Sequence, residues 1–135
     1  MSDYSRPTWD EYFLALSETA SMRADCRRRK VGATLVGPDN RVIAHGYNGA
    51  IPGLPGCLEG ACPRGLLSYS EVPAGAPYTQ CIATHAEANA LRSAPPERVS
   101  GSTMYINTNP CDRCIVVMRS AGVIKIIWPD NVLFL

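Results

Sequence analysis

His85-Ala86-Glu87, followed 23 residues after Glu87 by Pro110-Cys111-Asp112-Arg113-Cys114, decides how this chain is read. One imidazole and two thiolates can give a zinc ion three protein ligands and leave the fourth position for water. Zinc held in that way lowers the pKa of its bound water towards neutrality and makes a nucleophile available. Glu87, two residues from His85, is then the carboxylate that takes a proton from the water and delivers it to a substrate. Cys111 and Cys114 are three residues apart, so at the start of a helix they share a face. Pro110 suits a first helical position, with Asn109 or Thr108 as the cap. The positive end of that helix favours thiolates. Glu87 has a second reading. Thr84-x-x-Glu87 matches a capping box, opening a helix built on Ala86, Ala88, Ala90 and Leu91. A lone His or a lone C-x-x-C has several uses, but their combination is far more specific, and it favours the catalytic reading.

Outward from these stretches, the chain reads as one domain, residues 1–135, long enough for a hydrophobic core. Thr8-Trp9-Asp10-Glu11 is a capping box, and Tyr12, Phe13, Leu16 and Ala20 follow at helical spacing, which predicts a first helix to about Asp25. Val31 to Val36 and Val42 to His45 are β-rich runs around Gly37-Pro38-Asp39-Asn40, a hairpin signal. Residues 46–80, rich in Gly and Pro, predict a long irregular segment. A helix over 84–93 stops before Pro95-Pro96. Strand 103–108, helix 110–121 and strand 123–128 follow, with Gly122 at a helix C-cap. The fold class expected is α/β, a mixed sheet with helices on both faces.

Composition narrows the function. A net charge of +1 argues against a surface built for nucleic acid. There is no apolar run near 18 residues and no leader-like N-terminus, so the expectation is a cytoplasmic protein with no membrane partner. In that compartment six cysteines suggest metal binding before disulfides.

The chain resembles the cytidine deaminase superfamily, and within it the deoxycytidylate (dCMP) deaminases. The resemblance is carried by Trp9 through Leu14, Arg27 through Ala33, Gly46-Tyr47-Asn48-Gly49, His85 through Ala90 and Pro110-Cys111-x-x-Cys114. It implies a three-layer α/β/α sandwich, a homo-oligomer (hexamer or dimer), and zinc-dependent hydrolysis of a cytosine nucleotide, dCMP to dUMP with release of ammonia. The alternatives are deamination of another cytosine-type nucleoside, base or nucleoside antibiotic, and a zinc-binding module without turnover. Pro95-Pro96 and the short apolar tail 128–135 depart from the pattern of many relatives. The resemblance also assigns substrate contacts to Asn48 and Ala86. Gly46-Tyr47-Asn48-Gly49 read on its own is a turn.

Four further cysteines remain. Cys57 and Cys62 have the spacing of a structural zinc half-site. Some relatives carry a second, non-catalytic zinc, and Cys26 and Cys57 match its ligands best. A site of Cys26, Cys57, Cys62 and Cys81 would pin the 46–80 segment. The other reading is four thiols packed as small hydrophobes. Arg23, Arg27, Arg28, Arg29 and Lys30 also carry two readings. They complement the dipole at the end of the first helix, or Arg27 and Arg28 hold a nucleotide phosphate. His45 is read as a packed or solvated side chain and not as a ligand.

Overall fold

The computed structural model describes residues 5–27, 29–50, 55–61 and 84–135. Three helices and five strands carry the fold: α1 (Trp9–Ser21), β1 (Gly32–Val36), β2 (Val42–Tyr47), α2 (Ala86–Ser93), β3 (Thr103–Ile106), α3 (Asp112–Ala121), β4 (Lys125–Trp128) and β5 (Asn131–Phe134). The sheet order is β2-β1-β3-β4-β5. Only the β3–β4 pair, joined through α3, is parallel; the others are antiparallel.

Period-two alternation sorts the strands into two cores. Ala33, Leu35, Met104, Ile106 and Ile126 face α2 and α3, where Ala86, Ala90, Cys114 and Met118 meet them. Val36, Tyr105 and Ile127 face the other way, onto Phe13 of α1. The result is the expected three-layer α/β/α sandwich.

Thr8 caps α1 with both halves of its capping box formed. The helix stops at Ser21, four residues short of the expected end. Beyond it the chain turns so that Asp25 N–H donates to the Asn48 carbonyl at 2.9 Å. The last turn of α1 holds no basic residue. The cations 27, 29 and 30 therefore lie beyond the reach of its dipole, and that reading of them is corrected. β5 was not expected. Pro129 and Asp130, the latter at φ 64°, turn the chain so that Trp128 pairs with Asn131. Leu133 then packs on the core while Val132 and Phe134 stay exposed.

One close approach places α2. A Cβ on Gly46 would lie 2.2 Å from the Ala86 carbonyl oxygen and 2.5 Å from Ala90 N. The helix backbone thus rests directly on β2. Gly46→Ala must push α2 off the sheet, and overpacking of this kind costs about 1–3 kcal/mol. Denaturant unfolding should show a lowered midpoint; an unchanged one would mean that α2 is not held there.

Candidate metal centre and active site

The site is assembled at one end of the sheet by two helix N-termini. Beyond the end of β2, Gly49 and Thr84 form a two-way backbone bridge, at 2.7 and 3.1 Å. Asn89 Nδ2 donates to the Tyr47 carbonyl at 2.8 Å. These contacts fix the start of α2 against the same strand that Gly46 lets it touch.

Thr84 is consequently not the helix cap. His85 occupies that position, with no side-chain capping bond. The capping-box reading of Glu87 is corrected: its carboxylate is not spent on Thr84. Instead Glu87 is buried, 4% exposed, in the first turn of α2. A carboxylate so enclosed needs a strong partner. Its charge is felt at the neighbouring Cys114 thiol.

The second helix also begins later than expected. Cys111 is the N-cap of α3, and its sulfur accepts from Cys114 N–H at 3.4 Å. Pro110 precedes the cap, and neither Asn109 nor Thr108 fills that role. Cys111 thereby both caps its helix and presents its sulfur to the site.

His85, Cys111 and Cys114 offer three ligand atoms, all within 4.8 Å of one another. His85 Nδ1 lies 3.2 Å from Cys114 Sγ and 3.5 Å from Cys111 Sγ. Zinc bonds of about 2.3 Å to sulfur and about 2.0 Å to nitrogen, at the tetrahedral angle, put such atoms about 3.6 Å apart. Donor set and spacing both fit zinc, and Nδ1 is the ring nitrogen presented. Burial, then the Glu87 charge and the Cys111 sulfur, push the Cys114 thiol well above its ordinary pKa. Without a cation this crowding of anions is unfavourable. Both helix N-termini, and a dication between them, oppose it.

The other expected residues divide. Ala86 is wholly buried beneath the site, in contact distance of β2. Asn48 is 7% exposed, and its amide is engaged: Oδ1 accepts from Val31 N–H and Nδ2 donates to the Arg29 carbonyl, both at 2.9 Å. The segment 46–49 is strand end and bridge, not a free turn. Arg27 turns towards Cys57, donating from Nε to its carbonyl at 3.1 Å and from N to its sulfur at 3.2 Å. Cys26 and Cys57 are brought together, both buried. Arg28, Cys62 and Cys81 lie outside the described residues. His45 shares a contact of 3.3 Å with Thr34 Oγ1 on the α1 side of the sheet, away from the ligands. Sequence reasoning missed Asn107. Its amide takes Gly32 N–H and meets the Lys30 carbonyl. An Asn at the end of a β-rich run, two residues before Asn109-Pro110, is a strand-end signal that could have found it.

Comparison with known proteins accords with this geometry. Residues 7–129 match the family model described as the cytidine and deoxycytidylate deaminase zinc-binding region. A deoxycytidylate deaminase of Mycobacterium phage D29 is 43% identical over 94% of this chain and 98% of its own length. One from Schizosaccharomyces pombe is 40% identical over 91% of this chain, which spans 37% of that longer protein. The structure of a dCMP deaminase from cyanophage S-TIM5 in complex with dCMP and dUMP is similar at TM-score 0.69, with 29% identity, covering 93% of this chain and 83% of that one.

Replacing Cys114 with Ser should cost one zinc ion per chain. Elemental analysis after dialysis checks this; parental zinc content in the variant would remove Cys114 from the ligand set.

Proposed function

The chain belongs to the cytidine and deoxycytidylate deaminase zinc-binding family, and from that premise we propose that it converts dCMP to dUMP and ammonia. The observation that carries the reading is the buried Glu87 carboxylate beside the His85, Cys111 and Cys114 ligand atoms. It stands in a chain that matches a phage deoxycytidylate deaminase over nearly its whole length.

His85, Cys111 and Cys114 would hold zinc, which would supply an acidified water molecule. Glu87 supplies the proton traffic. It accepts a proton from that water as the oxygen adds to C4 of the cytosine ring and delivers it to N3; it then takes the second proton from the new C4 hydroxyl and passes it to the departing amine as the carbonyl forms and the C4–N bond breaks. C4 gains an oxygen and loses nitrogen, so water is consumed and ammonia released. Burial of Glu87 keeps bulk water from competing for that proton. Ala86 brings α2 flush with β2 and lines the base pocket with backbone. Asn48 contributes to nucleotide binding. An arginine of the 27–29 run holds the 5′-phosphate by charge-assisted hydrogen bonds.

We also propose a second zinc on Cys26, Cys57, Cys62 and Cys81. The contact between Cys26 and Cys57 supports it. A single-domain homo-oligomer acting in the cytoplasm completes the reading. Among the described residues no helix is long and apolar enough to cross a membrane.

Glu87→Gln should keep the parental zinc content, two ions per chain on this reading, because Glu87 is not a ligand. It should lose at least ~10²-fold in kcat through missing acid–base catalysis. Near-normal turnover in a zinc-loaded variant refutes the mechanism, and one ion per active parental chain refutes the second site. Incubating the protein with dCMP, deoxycytidine, CMP, cytidine and cytosine while following ammonia tests the substrate. The phosphate contact should favour dCMP over deoxycytidine by roughly ten- to a hundredfold in kcat/KM, shrinking as salt rises. Equal rates would move the substrate to the unphosphorylated cytosine compounds.

A further inference from the structure

Two asparagines grip the stretch of chain that enters β1. Asn48, just past β2, accepts from Val31 N–H and donates to the Arg29 carbonyl, each at 2.9 Å. Asn107, just past β3, accepts from Gly32 N–H at 3.0 Å and donates to the Lys30 carbonyl at 3.1 Å. Their backbones join in: Asn48 N–H donates to the Val31 carbonyl and Asn107 N–H to the Gly32 carbonyl, both at 3.2 Å. Asn107 is braced in turn by Glu18 of α1, whose Oε2 accepts from its Nδ2 at 3.2 Å. Side-chain amides here replace the strand neighbours that β1 would have if β2 and β3 continued. Residues 29–31 are thereby held beyond the regular sheet, from both sides.

An extended segment in fixed register aims its side chains alternately. Ala33 faces the α2/α3 layer, and Val31 packs on the same core. Two residues earlier, Arg29 falls on that face too, the layer that carries His85 and Cys111. Its Nη2 lies 3.4 Å from Thr108 Oγ1, three residues before Cys111. Lys30 falls on the opposite face, with α1. Arg27 is turned towards Cys57. Of the described cations in the 27–30 run, Arg29 is the one whose side chain meets the segment leading to Cys111.

We propose that Arg29, with the Thr108 hydroxyl beside it, is the specificity-determining contact for the 5′-phosphate, and that Asn107 and Asn48 are positioning residues that set its aim. This rests on the dCMP reading above and assigns its phosphate to a particular side chain. A guanidinium presents a planar fork suited to phosphate oxygens, and a hydroxyl adds one donor.

The test is the ratio of kcat/KM for dCMP to that for deoxycytidine, in the zinc-loaded full chain. Arg29→Ala should lower the ratio roughly ten- to a hundredfold, mostly through KM for dCMP. Arg29→Lys should restore part of it. Asn107→Asp keeps the acceptor for Gly32 but loses the donor to Lys30, and should lower the ratio without altering bound zinc. Asn107→Ala should do so further; if it fails to fold, Asn107→Asp carries the test. Lys30→Ala should keep the parental ratio. An unchanged ratio in Arg29→Ala, or an equal loss in Lys30→Ala, overturns the assignment while the dCMP reading stands. A parental ratio near one overturns the dCMP reading itself, and the assignment with it.

Discussion

The backbone of α2 lies on the backbone of β2 with nothing between them, and the site depends on that contact. Any side chain at Gly46 would stand in the way. Because the helix is seated so low, the Gly49–Thr84 bridge can deliver the chain to His85 at the sheet's end. The crossover from parallel β3 to β4 brings α3 to the same end, with Cys111 at its start. Three ligand atoms from two helices then meet without long or flexible side chains reaching across space. Short ligands on rigid helix ends are what a closely defined coordination geometry requires.

Much of this was legible in the chain. The three side chains that meet, His85, Cys111 and Cys114, were picked out by residue chemistry and spacing, and the α-β-β-α-β-α-β order follows from periodicity. What was not legible has physical causes. α1 ends at Ser21 because Asp25 finds a tertiary partner in the Asn48 carbonyl, which no local propensity encodes. Thr84 loses its capping role to a bridge with a residue 35 positions away. β5 hides in an eight-residue tail, too short for clear alternation, where Pro129-Asp130 was the available turn signal. The roles of Asn48 and Asn107 were invisible because an amide that stands in for a strand has no sequence period at all.

The basic run shows the same limit more sharply. From sequence, five cations share one description. In the structure Arg27 is drawn to Cys57 and Arg29 towards Thr108, while the Lys30 carbonyl is held by Asn107. Charge count predicted a cationic region; backbone register divides it into side chains with different tasks.

The β1–β3 ladder pairs Ala33 with Ile106, residues 73 apart in the sequence. Such a pairing has to close a long loop before any contact rewards it, whereas the β1–β2 hairpin forms locally. The edge of β1 that faces β3 therefore exists before its partner arrives. His85 is already downstream of the hairpin, but Cys111 and Cys114 come into place only once β3 has docked on that edge. The reactive centre thus depends on a long-range pairing, and not on the local hairpin alone.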